Sequence, residues 1–123
     1  MRTIKFRIWD NINNKMYNLG NLEDCLYRTE FEEEFGYDLT NYIIMQYTGL
    51  KDKNGKEICE GDIIKSGFIG EVYWEGAGFY IKFFNREIDD YIYCSLGYFK
   101  NNIHPKEIEV IGNIYENPEF INK

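Results

Sequence analysis

Residues 46–65 read QYTGLKDKNGKEICEGDIIK, and the fold is decided in this stretch. Apolar-tipped segments flank Asn54-Gly55, the commonest pair for a two-residue hairpin loop because both central positions must reach φ > 0 at little cost. The stretch therefore predicts a hairpin. Gly61-Asp62 follows at once with Ile63-Ile64-Lys65, so a second tight turn feeds another strand into the same small sheet. These residues build a scaffold and contain no evident catalytic centre.

Toward the N-terminus, Tyr42 to Tyr47, YIIMQY, is a continuous apolar run suited to a central strand or one covered on both faces. Ile4, Phe6 and Ile8 alternate with Lys5, Arg7 and Trp9, the period of a strand with one buried face. The turn formers Asp10 to Lys15 follow, and Met16-Tyr17 returns as the second strand of an N-terminal hairpin. Between these parts, Asn21 to Asn41 predicts helix in one or two short pieces: Leu22, Cys25 and Leu26 have helical spacing, and Phe31 and Phe35 share one face. Glu32 to Glu34 then form the solvated face of that helix.

Toward the C-terminus, GEVYW (Gly70 to Trp74) and FYIKFF (Phe79 to Phe84) read as paired strands around Glu75-Gly76-Ala77-Gly78. Tyr91 to Cys94 is a further strand, ended by Leu96-Gly97. The last strand, Ile108 to Tyr115, carries Gly112 as a bulge or a close backbone approach. Asn117-Pro118-Glu119 has the pattern of an N-cap opening a short helix. So many short strands with glycine turns close their own edges best as an SH3-like roll or small barrel. The expected class is mainly β, a β-rich α+β chain. Residues 1–45 form a hairpin and helical arm, 46–116 the roll and 117–123 a tail, all in one domain of 123 residues.

Hydrophobic residues at 44% and aromatics at 18% supply a core, and 11 Tyr with 9 Phe favour strands. Fourteen basic against 21 acidic residues leave a net charge of −7, which repels a phosphate backbone unless the cations are segregated. No apolar run has the length of a membrane span, and the start, MRTIKFRIWD, has no signal-peptide block, so a cytoplasmic location is expected. Cys25, Cys59 and Cys94 are odd in number and lack a CxxC pair, so reduced thiols are expected rather than disulfides.

Candidate chemistry is sparse. His104 is the only histidine and sits beside Pro105 in a turn-like stretch, which reads as a surface loop residue rather than a general base. Cys59 and Cys94 read as buried apolar thiols, since nothing near them in sequence lowers their pKa. Asp89-Asp90 would point to opposite faces of a strand, and Asp62 is best used in capping its own turn through backbone N–H groups. No catalytic residue, cofactor or metal site is assigned. Exposed aromatics on a small barrel can stack on bases, and Tyr47, Tyr73, Trp74 and Tyr80 with Arg7, Lys51 and Lys53 are the residues that would do so. Trp74 and the alternate Phe and Tyr positions are more economically core.

Three blocks carry a resemblance. Lys5-Phe6-Arg7-Ile8-Trp9-Asp10 with Lys15-Met16-Tyr17, the run Met45 to Ile58 with Glu60-Gly61-Asp62, and Glu109 to Glu119 together closely resemble the YopX family of phage and prophage proteins. The match spans nearly the full chain; Cys59 stands where the family often has an aromatic. The resemblance implies a β-rich SH3-like roll encoded in phage genomes or integrated elements of bacteria, with no established activity and no catalytic residues to carry over. The expected function is a non-catalytic protein-interaction module that self-associates, located in the cytoplasm of a bacterial host cell. Tyr47, Lys51, Lys53, Glu60, Asp62 and Trp74 are the candidate interaction surface. The alternative is a nucleic-acid-associated roll or an acidic DNA mimic.

Overall fold

The computed structural model describes residues 4–21, 40–98 and 107–121, and the chain is mainly β. Of the helical arm expected over 21–41, residues 22–39, Cys25 among them, lie outside the described residues, as does His104, while Asn21 ends a strand and Thr40 and Asn41 form a turn. Two compact units meet at the Gly49–Leu50 boundary.

In the first unit, β1 (Lys5–Asp10) pairs antiparallel with β2 (Lys15–Asn21) and with β3 (Tyr42–Lys51). The N-terminal hairpin is as the sequence predicts, and its loop is tied by Asp10, whose carboxylate accepts the N–H groups of Ile12 and Asn13 at 2.9 and 3.1 Å. Ile8 and Leu19 form its small core, with Phe6, Tyr17 and Tyr42 against them. The one-sided burial expected of β1 is corrected: Arg7, Ile8, Trp9 and Asp10 are all buried. β1 lies between β2 and β3, and from Arg7 to Asp10 the side chains on both of its faces are covered. Of the two readings of β3, the central strand holds, since it lies between β1 and the short strand Glu57–Cys59, while cover on both faces does not, because Ile43 and Ile44 are exposed.

The second unit is built on a five-stranded antiparallel sheet in the order β8-β7-β6-β5-β9, from β5 (Asp62–Lys65), β6 (Ile69–Glu75), β7 (Gly78–Asn85), β8 (Asp90–Ser95) and β9 (Glu109–Asn113). A short strand, β4 (Glu57–Cys59), is hydrogen-bonded to β3, whose last residues belong with it to this unit. Ile58, Ile64, Val72, Ile81, Leu96 and Ile108 make the core, with Phe68, Phe79, Phe83 and Cys94 packed against it. Gly112 is both things expected of it. Ile63 pairs with Gly112 and Ile64 with Val110, which leaves Ile111 as the extra residue of a bulge. A Cβ at Gly112 would collide with the side chain of Asn117.

Two turn readings change. The Asn54-Gly55 loop is not a two-residue turn with both positions at φ > 0, since only Gly55 is there, at 81°. Gly55 N–H donates to the Asp52 carbonyl and Asp52 N–H to that of Lys56, the wider loop in which a type I turn precedes a left-handed glycine. Its first residue explains the choice: the Asp52 carboxylate accepts the N–H groups of Asn54 and Lys56, both at 2.9 Å, which suits a turn opened by aspartate. At the other end, Pro118–Phe120 is a single 3-10 turn with no side-chain cap. The Asn117 side chain instead accepts the Asn113 N–H at 3.2 Å.

Candidate functional site

Strands β6, β7 and β8 present alternate residues to opposite faces, as the strand period requires. Val72 and Ile81 are fully buried, and Phe79, Phe83 and Cys94 continue that inner side. The outer side carries Glu71 and Tyr73 on β6, Tyr80, Lys82 and Phe84 on β7, and Tyr91 and Tyr93 on β8. Cross-strand register sets Tyr73 opposite Tyr80, Lys82 opposite Tyr93 and Phe84 opposite Tyr91. These aromatics touch one another. Tyr73 lies 5.9 Å from Tyr80 and 6.2 Å from Tyr93 between ring centroids, and Phe84 meets Tyr91 edge-on at 5.3 Å. Burial, and then the nearby carboxylate of Glu75, push the Tyr73 hydroxyl above its ordinary pKa, so it stays protonated and neutral.

At one end this face deepens into an open groove of about 570 Å³. Its walls come from Lys65 at the end of β5, Phe68 in the β5–β6 loop, Lys82 and Phe84 of β7, Arg86 just beyond it, Tyr91 of β8 and Phe120 of the C-terminal turn. Phe68 stacks on Phe83 at 4.2 Å, which joins the groove floor to the core. The Lys82 ammonium sits 4.9 Å from the Tyr91 ring centre, a cation held on a ring face. Three cations and one carboxylate, Glu71, line the groove.

None of the residues expected to form an interaction surface lines this groove. Asp62 is buried and its carboxylate accepts the Cys59 N–H at 2.8 Å, the turn-capping role the sequence suggests for it. Lys53 is paired with Glu109 at 3.3 Å, Lys51 is exposed and Glu60 half-buried. Tyr47, in the first unit, lies under Arg7, whose guanidinium carbon is 5.9 Å from its ring centre. Trp74 is corrected from core to surface: it is 45% exposed, stacked edge-on against Phe79 at 4.8 Å. It shares the inward parity of Val72, but the core ends before the strand does. Neither Cys59 nor Cys94 is in a disulfide; Cys59 is buried, as read, and Cys94, read as buried, is half-buried.

The carboxylates with the most defined geometry are engaged by backbone. Asp52 accepts a third N–H, from Val110, at 2.9 Å. Burial raises its pKa, and the three donors outweigh that and hold it below the usual carboxylate range. Asp10 is also lowered, first by the Asn13 side-chain amide and then by the backbone of its loop. Among the described residues no group of three or more His, Cys, Asp or Glu could hold a metal ion. No helix among them is long and apolar enough to cross a membrane.

The YopX family model, described as YopX protein, matches residues 5–122. The chain belongs to the YopX family. It is also similar to the crystal structure of protein EF1440 from Enterococcus faecalis, with 29% identity, a TM-score of 0.62, and 99% of this chain and 100% of that chain covered. No match was found among curated proteins.

Within this YopX-family chain, sequence reasoning missed Lys65, Lys82, Phe84, Arg86, Tyr91 and Phe120. One signal was available. In FYIKFF the lysine marks its own side of the strand as the wet one, which puts Tyr80 and Phe84 outside with it and leaves Phe79, Ile81 and Phe83 within.

Proposed function

We propose that this YopX-family protein is a non-catalytic contact module, encoded by a phage or prophage and working in the cytoplasm of the bacterial host, that binds a partner protein through the outer face of β6, β7 and β8 and self-associates. One observation carries the reading. Tyr93 is 58% exposed and Tyr91 42%, on a face that continues through Tyr73, Tyr80 and Phe84, and contiguous exposed aromatics are the usual composition of a protein contact surface. A non-catalytic role is supported by the use made of Asp10, Asp52 and Asp62, whose oxygens are committed to backbone donors rather than aimed at a cleft.

Affinity capture from prophage-carrying cells tests this, using the wild-type chain and Tyr93→Asp as baits. A protein retained by the wild type and lost with the variant is expected. Equal retention by both removes the outer face from the reading. Light scattering across a concentration series tests self-association, and a strict monomer at high concentration rejects it.

A further inference from the structure

The groove at the end of the outer face differs in charge from the rest of the chain. It takes three of the 14 basic residues and one of the 21 acidic ones, in a protein of net charge −7. Lys82 is held on the Tyr91 ring, whereas Lys65 and Arg86 make no ion pair with any described residue. Between these cations the walls are aromatic: Phe84, Tyr91 and Phe120. Cations with no ion-pair partner among the described residues, set around an apolar slot, complement a ligand that is apolar at its centre and anionic at its edges. The volume of about 570 Å³ falls in the ordinary range for a pocket that takes one or two large side chains.

We infer that the groove receives a protein segment in which carboxylates flank an aromatic or large aliphatic side chain. The apolar side chain enters between Phe84, Tyr91 and Phe120, and the carboxylates meet Lys65 and Arg86. A long phosphate backbone fits less well. Exposed carboxylates adjoin the groove residues along the chain, Glu87 after Arg86, Asp89 and Asp90 before Tyr91, and Glu119 before Phe120, and a long polyanion would meet more of them than a short segment. This assignment rests on the outer face being a protein contact surface and adds the chemistry of the partner.

The test is fluorescence anisotropy at low salt with the full chain and three labelled probes: a short peptide of alternating glutamate and phenylalanine, the same peptide with lysine for glutamate, and a short oligothymidylate. The acidic peptide is expected to bind, more weakly as salt rises, while the lysine peptide does not. Charge reversal at both exposed cations, Lys65→Glu with Arg86→Glu, is expected to weaken binding by about tenfold or more, the effect of a few lost charge contacts of up to ~1 kcal/mol each. Phe120→Ala weakens it without changing charge, and Lys56→Glu, in the Asp52 turn, leaves it unchanged; circular dichroism confirms that each variant folds. Preference for the oligothymidylate overturns the assignment in favour of nucleic acid. Equal binding of the acidic peptide by wild type and double reversal also overturns it, as does no binding of that peptide. If the partner captured by the wild-type chain is still captured by the double reversal but not by Tyr93→Asp, the groove assignment fails and the contact-module reading stands.

Discussion

The two faces of the β6-β7-β8 sheet are built from the same three strands and both carry aromatics, yet they differ in kind. Inside, Val72 and Ile81 are fully buried beside Phe79 and Phe83. Outside, tyrosines dominate, each with a hydroxyl that water can satisfy, and Lys82 stands among them. The lesson is that aromatic content does not identify the core of this protein. Position does: the fully buried side chains of β6 and β7, Val72 and Ile81, sit at the centre of the strands, while Ile69 and Trp74 near the ends of β6 are exposed.

If that division is right, the largest effect of any single change falls inside. Ile81→Ala removes a side chain with no solvent exposure from the centre of the core and should cost roughly 2–5 kcal/mol, read as a lowered urea midpoint at unchanged slope. A cost below about 1 kcal/mol would mean the inner face is loosely packed and the contrast is overstated. Gly70→Ala sharpens the same point by adding volume. The new methyl would come within 2.8 Å of the Ile81 Cγ2 and 3.2 Å of the Lys82 carbonyl oxygen, and overpacking of this kind costs about 1–3 kcal/mol. Thermal unfolding measures it, and a neutral result would show that β6 and β7 can move apart.

Asp52 governs how the inner side is closed. Its turn positions Leu50 and Ile58 against the core, and its bond to Val110, 58 residues away, fastens that turn to β9. The carboxyl is lowered in the folded protein, so its contribution is complete above the ordinary carboxylate pKa and is lost as pH falls through the folded value. Asp52→Asn keeps the shape and removes the charge. It should cost about 1 kcal/mol at neutral pH and reduce the loss of stability in acid, without abolishing it, because Asp10 is lowered too. An unchanged acid dependence in urea titrations would put the acid-sensitive step elsewhere.

What the sequence made legible was local. The ends of the hairpins, the Gly61-Asp62 turn and the Gly112 bulge are written in residues whose backbone needs are met within a few positions. The errors are of another kind. Arg7 and Trp9 are buried because both faces of β1 are covered, Trp74 is exposed because the core stops short of it, and the third donor to Asp52 comes from a distant strand. The groove is the extreme case. Its lining is gathered from Lys65 to Ile121, so strand pairing is needed to bring Lys65 to the groove that Lys82 and Arg86 line, and the C-terminal turn to add Phe120.

The smallest expected effect on stability is the most informative about function. Tyr93→Ala removes a ring that is 58% exposed and touches Tyr73 only edge-on, so chemical denaturation should move by no more than about 0.5 kcal/mol. Threonine or lysine would serve the outer side of β8 equally well as far as folding is concerned, and a large exposed aromatic is costly to keep there because it promotes association. A side chain that contributes little to stability and invites contact is explained by a partner. Should Tyr93→Ala instead cost more than 1 kcal/mol, the outer aromatics would be structural props, a second and thinner core layer. The contrast between the two faces would then collapse, and with it the observation on which the contact-module reading stands.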